Sequence, residues 1–488
     1  MTSDPTLERA NTGWTPAVQV LVLAGALALI KVALSAQVAP TTTEAYYWMY
    51  GRHPAWSYFD HPGMIGWISW LTSALFGDGL LQLRLLTILA GSLSIWLTFL
   101  AGRALYDERV GILGALTTAA APLFFAQGSR LYPDAPMLLF WIATIWAAAH
   151  AVPGRGLRWW LLAGLCAGLA LESKYHALFL VCGIGGFLAF SPEHRFWLRR
   201  KEPWLGALVA AAAFAPTLAW NASHGWSSFR YQGLARFSEG NEFSWKLLTS
   251  FPASHLVLMT PFLCVTAWMS GARTMLRWTR SPWPDRLLAA VGFPLLLFFV
   301  AVTPFRSIRD HWAAPAYVGL LILSASAIER GRSWAWKLHV GTVAVLAAGY
   351  VALPLLASAY PESERTGWSR LAEEIRQQSP DFILAPESLV AAQLGYQLRP
   401  VPACDFTALG RPTPRFGRWW SGESFRGKTA VLVFEKRLSP EHLLLARASF
   451  ERVAEPLEVT VARPGRTPVT WLLVRGEGYR PPDTLWNN

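Results

Sequence analysis

The sequence predicts a mainly α-helical, polytopic membrane protein with a small α/β domain at its C-terminus. Three observations carry this reading. Apolar residues make up 53 % of the 488 and charged residues only 15 %, with a mean hydropathy of +0.29. Soluble chains carry about 25 % charged residues, and disordered ones are poorer still in apolar groups. Apolar runs of roughly 17 to 22 residues recur along the chain, the length that crosses a bilayer as a helix. The loops between them alternate between Arg-rich and Arg-poor, the pattern left by the positive-inside rule.

Taken in order, the predicted spans lie near residues 16-38, 85-102, 110-127, 135-151, 159-172, 176-191, 204-220, 248-270, 287-303, 312-328 and 338-358, about eleven in all. The first lacks the basic start, short apolar core and small-residue cleavage site of a signal peptide, so it reads as an uncleaved helix. Lys31 near its end reads as snorkelling toward the interface. Arg9, Arg103, Arg109, Arg155, Arg158, Arg195, Arg199, Arg200, Lys201, Arg273, Arg277, Arg280, Arg286, Arg330, Arg332 and Lys337 fall on one side, 16 basic residues against 9 on the other. That side is predicted to be cytoplasmic, which puts the N-terminus inside and the segment after the last span outside.

The net charge of +12 therefore reports topology. From residue 359 onward Lys/Arg number 17 and Asp/Glu 15, and no contiguous basic stripe suits nucleic acid. Domain boundaries are expected at 1-358 for the membrane part and 359-488 for the outer part. In the latter, Trp368, Leu371 and Ile375 share a helical face, while Thr429 to Glu435 and Val469 to Val474 read as short buried strands. Cys166, Cys182 and Cys264 lie in apolar runs and Cys404 stands alone, so neither a disulfide framework nor a zinc spacing is present. No internal repeat, GxGxxG or Walker sequence occurs.

The chemistry-bearing residues collect on the outward side. The first outward loop, TTTEAYYWMYGRHPAWSYFDHPGMIGW, holds Glu44, Tyr46, Tyr47, Asp60 and His61. It suits amphipathic helices lying at the interface, with rings at headgroup level and polar groups toward a cavity. Aromatic belts alone explain such Tyr and Trp residues about half the time. The acids are harder to explain that way. Carboxylates beside a bilayer are costly unless they face a partner or a polar cavity, and a transfer reaction needs a base for its acceptor. Asp134, in GSRLYPDAP, opens onto the same face. Alone, each acid reads as a helix cap; together they read as a site. Arg130, Lys174, Arg309 and His311, with His61, are the basic groups on that face, and pairing an anionic substrate gives them a reason to be there. The bland alternative is that Lys174 merely neutralises Glu172 at a span end.

The ordered motifs EAYYW, YFDHP, YPDAP, SKYHAL and the stretch Trp220, Asn221, His224, Gly225, Trp226, Ser228, Phe229 and Arg230 resemble those of bacterial family-39-type glycosyltransferases. That family is related to dolichyl-phosphate-mannose protein mannosyltransferases and to the lipid A aminoarabinose transferase. The resemblance covers about residues 40 to 330. It implies the GT-C fold, an acidic motif in the first outward loop, and a sugar donor carried on polyprenyl phosphate. The acceptor would be a lipid such as lipid A, a polymer or a protein, at the outer face of the inner membrane, with membrane lipids as surroundings and no nucleic acid as partner. The mannosyltransferase motif is Asp-Glu, with Asp as base; this chain has Thr43-Glu44 there. The role of base is expected to fall first to Glu44, with Asp60 and Asp134 as alternatives, and the isosteric Glu44→Gln change to remove the base at little change of volume. His61-Pro62-Gly63 stands where the aminoarabinose transferase has Lys-Pro-Pro, a weaker phosphate contact because imidazole is mostly neutral at pH 7. Tyr46, Tyr47, Arg130, Lys174, Arg309 and His311 are the other expected substrate contacts. A divalent metal between Glu44 and Asp134 is compatible with hard carboxylate ligands, though no residue pattern demands one.

Two other classes make different demands. A transporter or lipid flippase calls for acids in mid-span and symmetry between halves. A membrane-anchored interaction protein would leave Glu44 and Asp134 dispensable. The clustering of acids at outward helix ends favours an interfacial enzyme.

Overall fold

The computed structural model describes residues 14–235, 242–331, 333–359, 367–406, 419–420, 422–435, 440–463 and 466–481. Arg9 and Arg332, counted on the basic side, lie outside these, as do residues 360–366, just after the expected domain junction between 358 and 359. Helices dominate: α1 (Pro16–Ser35), α2 (Thr42–Arg52), α3 (Met64–Phe76), α4 (Leu85–Leu105), α5 (Glu108–Ala120), α6 (Pro122–Gln127), α7 (Asp134–Ala151), α8 (Leu157–Ser173), α9 (Leu178–Phe190), α10 (Lys201–Ala213), α11 (Ala215–Ser223) and α12 (Ser227–Arg230). They continue with α13 (Trp245–Leu258), α14 (Pro261–Leu276), α15 (Trp283–Val302), α16 (Ala314–Glu329) and α17 (Ser333–Ala359).

Each expected span coincides with helix, but not always with one straight helix. Among the described residues five helices are long and apolar enough to cross a membrane, or up to seven if two bent pairs each count as one span. The stretch expected as one span at 248-270 is α13 and α14, bent by 114°. The break falls at Thr260, which holds φ +63° before Pro261. A residue before proline is pushed out of the α region, and Pro261 itself has no N–H to continue the ladder. The stretch at 110-127 breaks in the same way at Ala121-Pro122, and α10 and α11 meet at 50°. Lys31 does not snorkel: it is 2 % exposed and its ammonium sits 5.3 Å from the centre of the Phe125 ring.

The membrane helices pack through small residues, as expected where lipid leaves no hydrophobic drive between them. A Cβ added to Gly164 on α8 would lie 2.0 Å from the carbonyl oxygen of Gly206 on α10. These two backbones are in contact with no room between them. One continuous apolar core runs through α7, α8, α9, α15 and α16, with Trp141, Tyr317 and Phe299 among its fully buried members.

The C-terminal residues form a six-stranded sheet, β1 (Phe382–Ala385), β2 (Ala403–Asp405), β3 (Ala430–Glu435), β4 (Phe450–Val453), β5 (Leu457–Arg463) and β6 (Arg466–Tyr479). Its order is β2-β1-β3-β6-β4, with β5 also paired to β6; the β1 pairings are parallel and those of β6 antiparallel. Helices α18 (Trp368–Gln377) and α19 (Ser388–Leu398) pack on one face, and α20 (Pro440–Ser449) follows β3. Leu371 and Ile375 of α18 are fully buried, on the face their spacing marks.

One feature was not readable from the patterning. The sheet shares a core with the first outward loop, in which Ala45 to Tyr50 of α2 pack with Leu394, Tyr396 and Trp471. The Trp48 indole donates to Asp78 Oδ1 at 2.8 Å and the Tyr396 hydroxyl donates to the Asp78 carbonyl at 3.0 Å. Helix α19, packed on the sheet, thus forms the wall against which α2 is pressed. Replacing Gly164 by Val is expected to overpack the α8–α10 contact and destabilise the fold by about 1–3 kcal/mol, read as a lowered melting temperature of the detergent-purified protein.

Candidate active site

The site is built where α2, the loop after it, the N-terminal end of α7 and the C-terminal end of α8 meet. Thr41 caps α2 through a capping box: its hydroxyl accepts from the Glu44 N–H at 3.2 Å, while its own N–H donates to Glu44 Oε2 at 3.0 Å. Glu44, first expected as the base, is fully buried. Arg84 grips it bidentately, Nε to Oε1 at 2.6 Å and Nη2 to Oε2 at 2.9 Å, and the Leu131 N–H adds a contact to Oε1 at 3.1 Å. Arg84 also donates to the carbonyls of Ser35 and Val38, at 3.0 and 2.8 Å, which closes the end of α1. Burial alone would push the Glu44 carboxyl up; Arg84, then Arg130 and the Thr41 amide, outweigh it and hold it below the usual carboxylate range. Arg130 stands 3.8 Å from Glu44 Oε2. The structure therefore places Glu44 and Arg130 in a staple between α1, α2 and the 130–131 turn, away from the cavity.

Asp60 is presented differently. The loop before α3 doubles back on itself, with Ser57 paired to Pro62 and the Tyr58 N–H donating to the His61 carbonyl at 2.9 Å. Asp60 sits at its tip. The Tyr46 hydroxyl donates to both carboxylate oxygens at 3.1 Å, and the Tyr50 hydroxyl donates to Oδ1. Burial and then the Asp60 charge push the Tyr50 phenol well above its usual range, so it stays a donor. Tyr50 stacks on Tyr58 with ring centres 3.7 Å apart. Tyr46, expected to touch substrate, is thus a support for Asp60.

Facing that loop, Asp134 opens α7 and accepts from Lys174 Nζ at 2.8 Å; both are buried. Lys174 ends α8 in an extended conformation, φ −162° and ψ 136°, and so pairs with Asp134 and not with Glu172. His61 Nε2 and the Tyr47 hydroxyl are hydrogen-bonded at 2.9 Å. These groups surround a cavity of about 790 Å³, whose lining includes the polar side chains of Tyr47, Asp60, His61, Asp134, Lys174, Arg309 and His311 and the apolar ones of Leu178, Phe179, Leu258, Phe298 and Phe299. Of the expected site residues, the structure brings these seven together and leaves out Glu44, Tyr46 and Arg130.

The divalent metal envisaged between Glu44 and Asp134 does not fit this geometry. Each carboxylate is already paired with a cation, and among the described residues no group of three or more His, Cys, Asp or Glu could hold a metal. Sequence reasoning missed Arg84, which looks like any flanking arginine until it meets Glu44, and Gln232, whose amide donates to the Asp60 carbonyl at 2.6 Å.

The comparisons with known proteins agree with this architecture. The family described as dolichyl-phosphate-mannose-protein mannosyltransferase matches residues 60–220. The solved structure of ArnT from Cupriavidus metallidurans superposes over 96 % of this chain and 98 % of its own, with a TM-score of 0.69 at 17 % identity; in its undecaprenyl phosphate-bound state the score is 0.65. The chain has the ArnT fold. That is the GT-C arrangement the motifs implied. In sequence it is related to the lipid A galacturonosyltransferase RgtD of Rhizobium johnstonii, 28 % identical over 58 % of this chain and 59 % of the relative. It is also related to the undecaprenyl phosphate-alpha-4-amino-4-deoxy-L-arabinose arabinosyl transferase of Pseudomonas aeruginosa, 30 % identical over 33 % of this chain and 30 % of the relative. The matches therefore span about three-fifths and under a third of these curated relatives.

Because a buried ion pair broken on one side leaves an uncompensated charge, Glu44→Gln is expected to cost about 3–5 kcal/mol of stability, seen as a large drop in melting temperature whatever happens to activity. The lowered Glu44 carboxyl stabilises the fold above its ordinary value, about 4.3, and loses that contribution as pH falls through its folded-state value. Melting temperatures followed from pH 7 to pH 3 should fall on acidification, and less steeply in Glu44→Gln.

Proposed function

We propose that the protein is a membrane glycosyltransferase that moves a sugar from a polyprenyl-phosphate donor to a lipid-borne acceptor such as lipid A, at the outer face of the inner membrane. The observation that carries this reading is the mixed lining of the cavity. Its aromatic and aliphatic side chains suit a prenyl chain, and two carboxylates share it with Lys174, Arg309 and the imidazoles of His61 and His311. The names of RgtD and of the arabinosyl transferase point the same way. The basic loops then face the cytoplasm, the chain crosses the membrane about eleven times, and residues 359-488 form an α/β domain on the periplasmic side.

In this reading Asp60, and not Glu44, is the base. It lines the cavity and is ordered by two phenol donors, so it is placed to take a proton from an acceptor hydroxyl. The acceptor oxygen attacks the anomeric carbon from the face opposite the phosphate. The bond from that carbon to the phosphate oxygen breaks, and the lipid phosphate leaves with the electron pair. Lys174, Arg309 and His311 hold the phosphate, and Asp134 fixes the Lys174 ammonium for it. Tyr47 and His61 complete the sugar-facing wall.

A transfer assay with purified protein in lipid, offering labelled polyprenyl-phosphate sugars and a membrane lipid extract, tests this. Label should move to a new lipid product with the wild type, and about 10²–10⁴-fold more slowly with Asp60→Asn. No transfer by folded wild type from any such donor would overturn the reading in favour of transport. Arg309 is exposed at the cavity, so Arg309→Ala should raise the donor KM about tenfold and leave kcat within a factor of about three, a split between ground-state binding and chemistry that steady-state kinetics resolves.

A further inference from the structure

The structure assigns Glu172 as a positioning residue: a buried carboxyl on the last turn of α8 that holds the peptide N–H of Gly63 and thereby sets the Asp60–His61 loop against α8. Glu172 is fully buried. Its Oε1 accepts from the Gly63 N–H at 3.3 Å and from the Thr217 hydroxyl of α11 at 2.8 Å. Its Oε2 is buried and has no hydrogen-bond partner among the described residues. The nearby lysine does not neutralise it, because the extended backbone at Lys174 carries that ammonium to Asp134. A carboxyl placed this way needs a reason beyond surface solvation.

The reason lies at the start of α3. Gly63 is its N-cap and offers no side chain to close the helix. No other residue fits there: a Cβ would stand 2.5 Å from the Trp56 carbonyl oxygen and 2.6 Å from the Trp67 ring. In a capping box the cap N–H is taken by a carboxyl three residues on; here that acceptor comes from α8, and its acidic character also suits a helix N-terminus. The consequence reaches the site, since Asp60 and His61 stand three and two residues before this cap. Two residues after Glu172, Lys174 holds Asp134. One helix end thus fixes both acids, and with them the width of the cavity between Asp60 and Asp134. The motif stretch around Asn221 backs the same arrangement from the far side: Asn221 Oδ1 accepts from the Phe229 N–H at 3.3 Å, and Ser228 Oγ is bonded to the Tyr175 hydroxyl at 2.7 Å.

The kinetic arm of the test rests on the transfer reading; the exchange arm does not. Glu172→Met keeps the bulk and removes the acceptor, whereas Glu172→Gln keeps an acceptor oxygen for Gly63. Hydrogen exchange by mass spectrometry over residues 57–64 should run at least about tenfold faster in Glu172→Met and at the wild-type rate in Glu172→Gln. In the transfer assay Glu172→Met should lower kcat about 10- to 100-fold, as misplacement by about an ångström does, with donor KM within about threefold, and Glu172→Gln should restore kcat to within about threefold of wild type. Unchanged exchange in Glu172→Met, or a Glu172→Gln protein as impaired as Glu172→Met, overturns the assignment. Should Glu172→Met not fold, Glu172→Gln still decides, because faster exchange or a kcat loss beyond threefold in that variant contradicts it. Wild-type protein that transfers nothing yet shows the exchange pattern refutes the transfer reading and leaves this assignment standing.

Discussion

The pairing of Glu44 with Arg84 is the constraint on which the outward half of the molecule depends. Five donors converge on one buried carboxylate: three N–H groups and a hydroxyl from α2's cap, the 130–131 turn and Arg84 Nε, with Arg84 Nη2 as the fifth. The same guanidinium closes the carbonyl end of α1. A low-dielectric interior makes such a network strong when fully satisfied and expensive when any member is missing. Through it, the end of α1, the start of α2, the start of α4 and the approach to α7 become one rigid corner. Everything the cavity needs from α2, including the tyrosines under Asp60, inherits its position from that corner.

That corner also explains a division of labour among the acids. A carboxylate with every lone-pair direction taken and a bidentate arginine against it is a poor proton acceptor, however acidic its motif. Asp60 has neutral phenol donors and lines the cavity, while Asp134 spends its charge orienting an ammonium. In this chain the residue at the motif position is architectural. In the proposed reading, proton chemistry falls to the next acid along, where a loop and not a helix cap presents it.

Much of the fold was legible in the sequence because bilayer-length apolar runs and basic loop asymmetry are local signals. Boundaries were less so. Pro122 and Pro261 stand in the sequence where the helices break, but hydropathy averaged over a window reads straight through them. The shared core of α2 with α19 and the sheet was invisible, since Trp48 lies hundreds of residues from Tyr396 and Trp471 and suits an aromatic belt just as well. At the site, residue types were readable and pairings were not. Arg84 meets Glu44, and Lys174 meets Asp134, across 40 residues each. Sequence neighbourhood favoured Lys174 with Glu172, and the backbone turn at Lys174 decided otherwise.

That turn has a wider meaning for how the cavity keeps its shape. A binding site at a membrane surface must hold charged groups at a fixed spacing while its floor is built of helices that slide easily past one another on small residues. Here the α8–α10 contact at Gly164 and Gly206 leaves no room between the backbones, which holds α8 in place. It delivers two groups from its C-terminal end, Glu172 toward the Asp60 loop and Lys174 toward Asp134. Both acids are therefore referenced to one helix and not to each other.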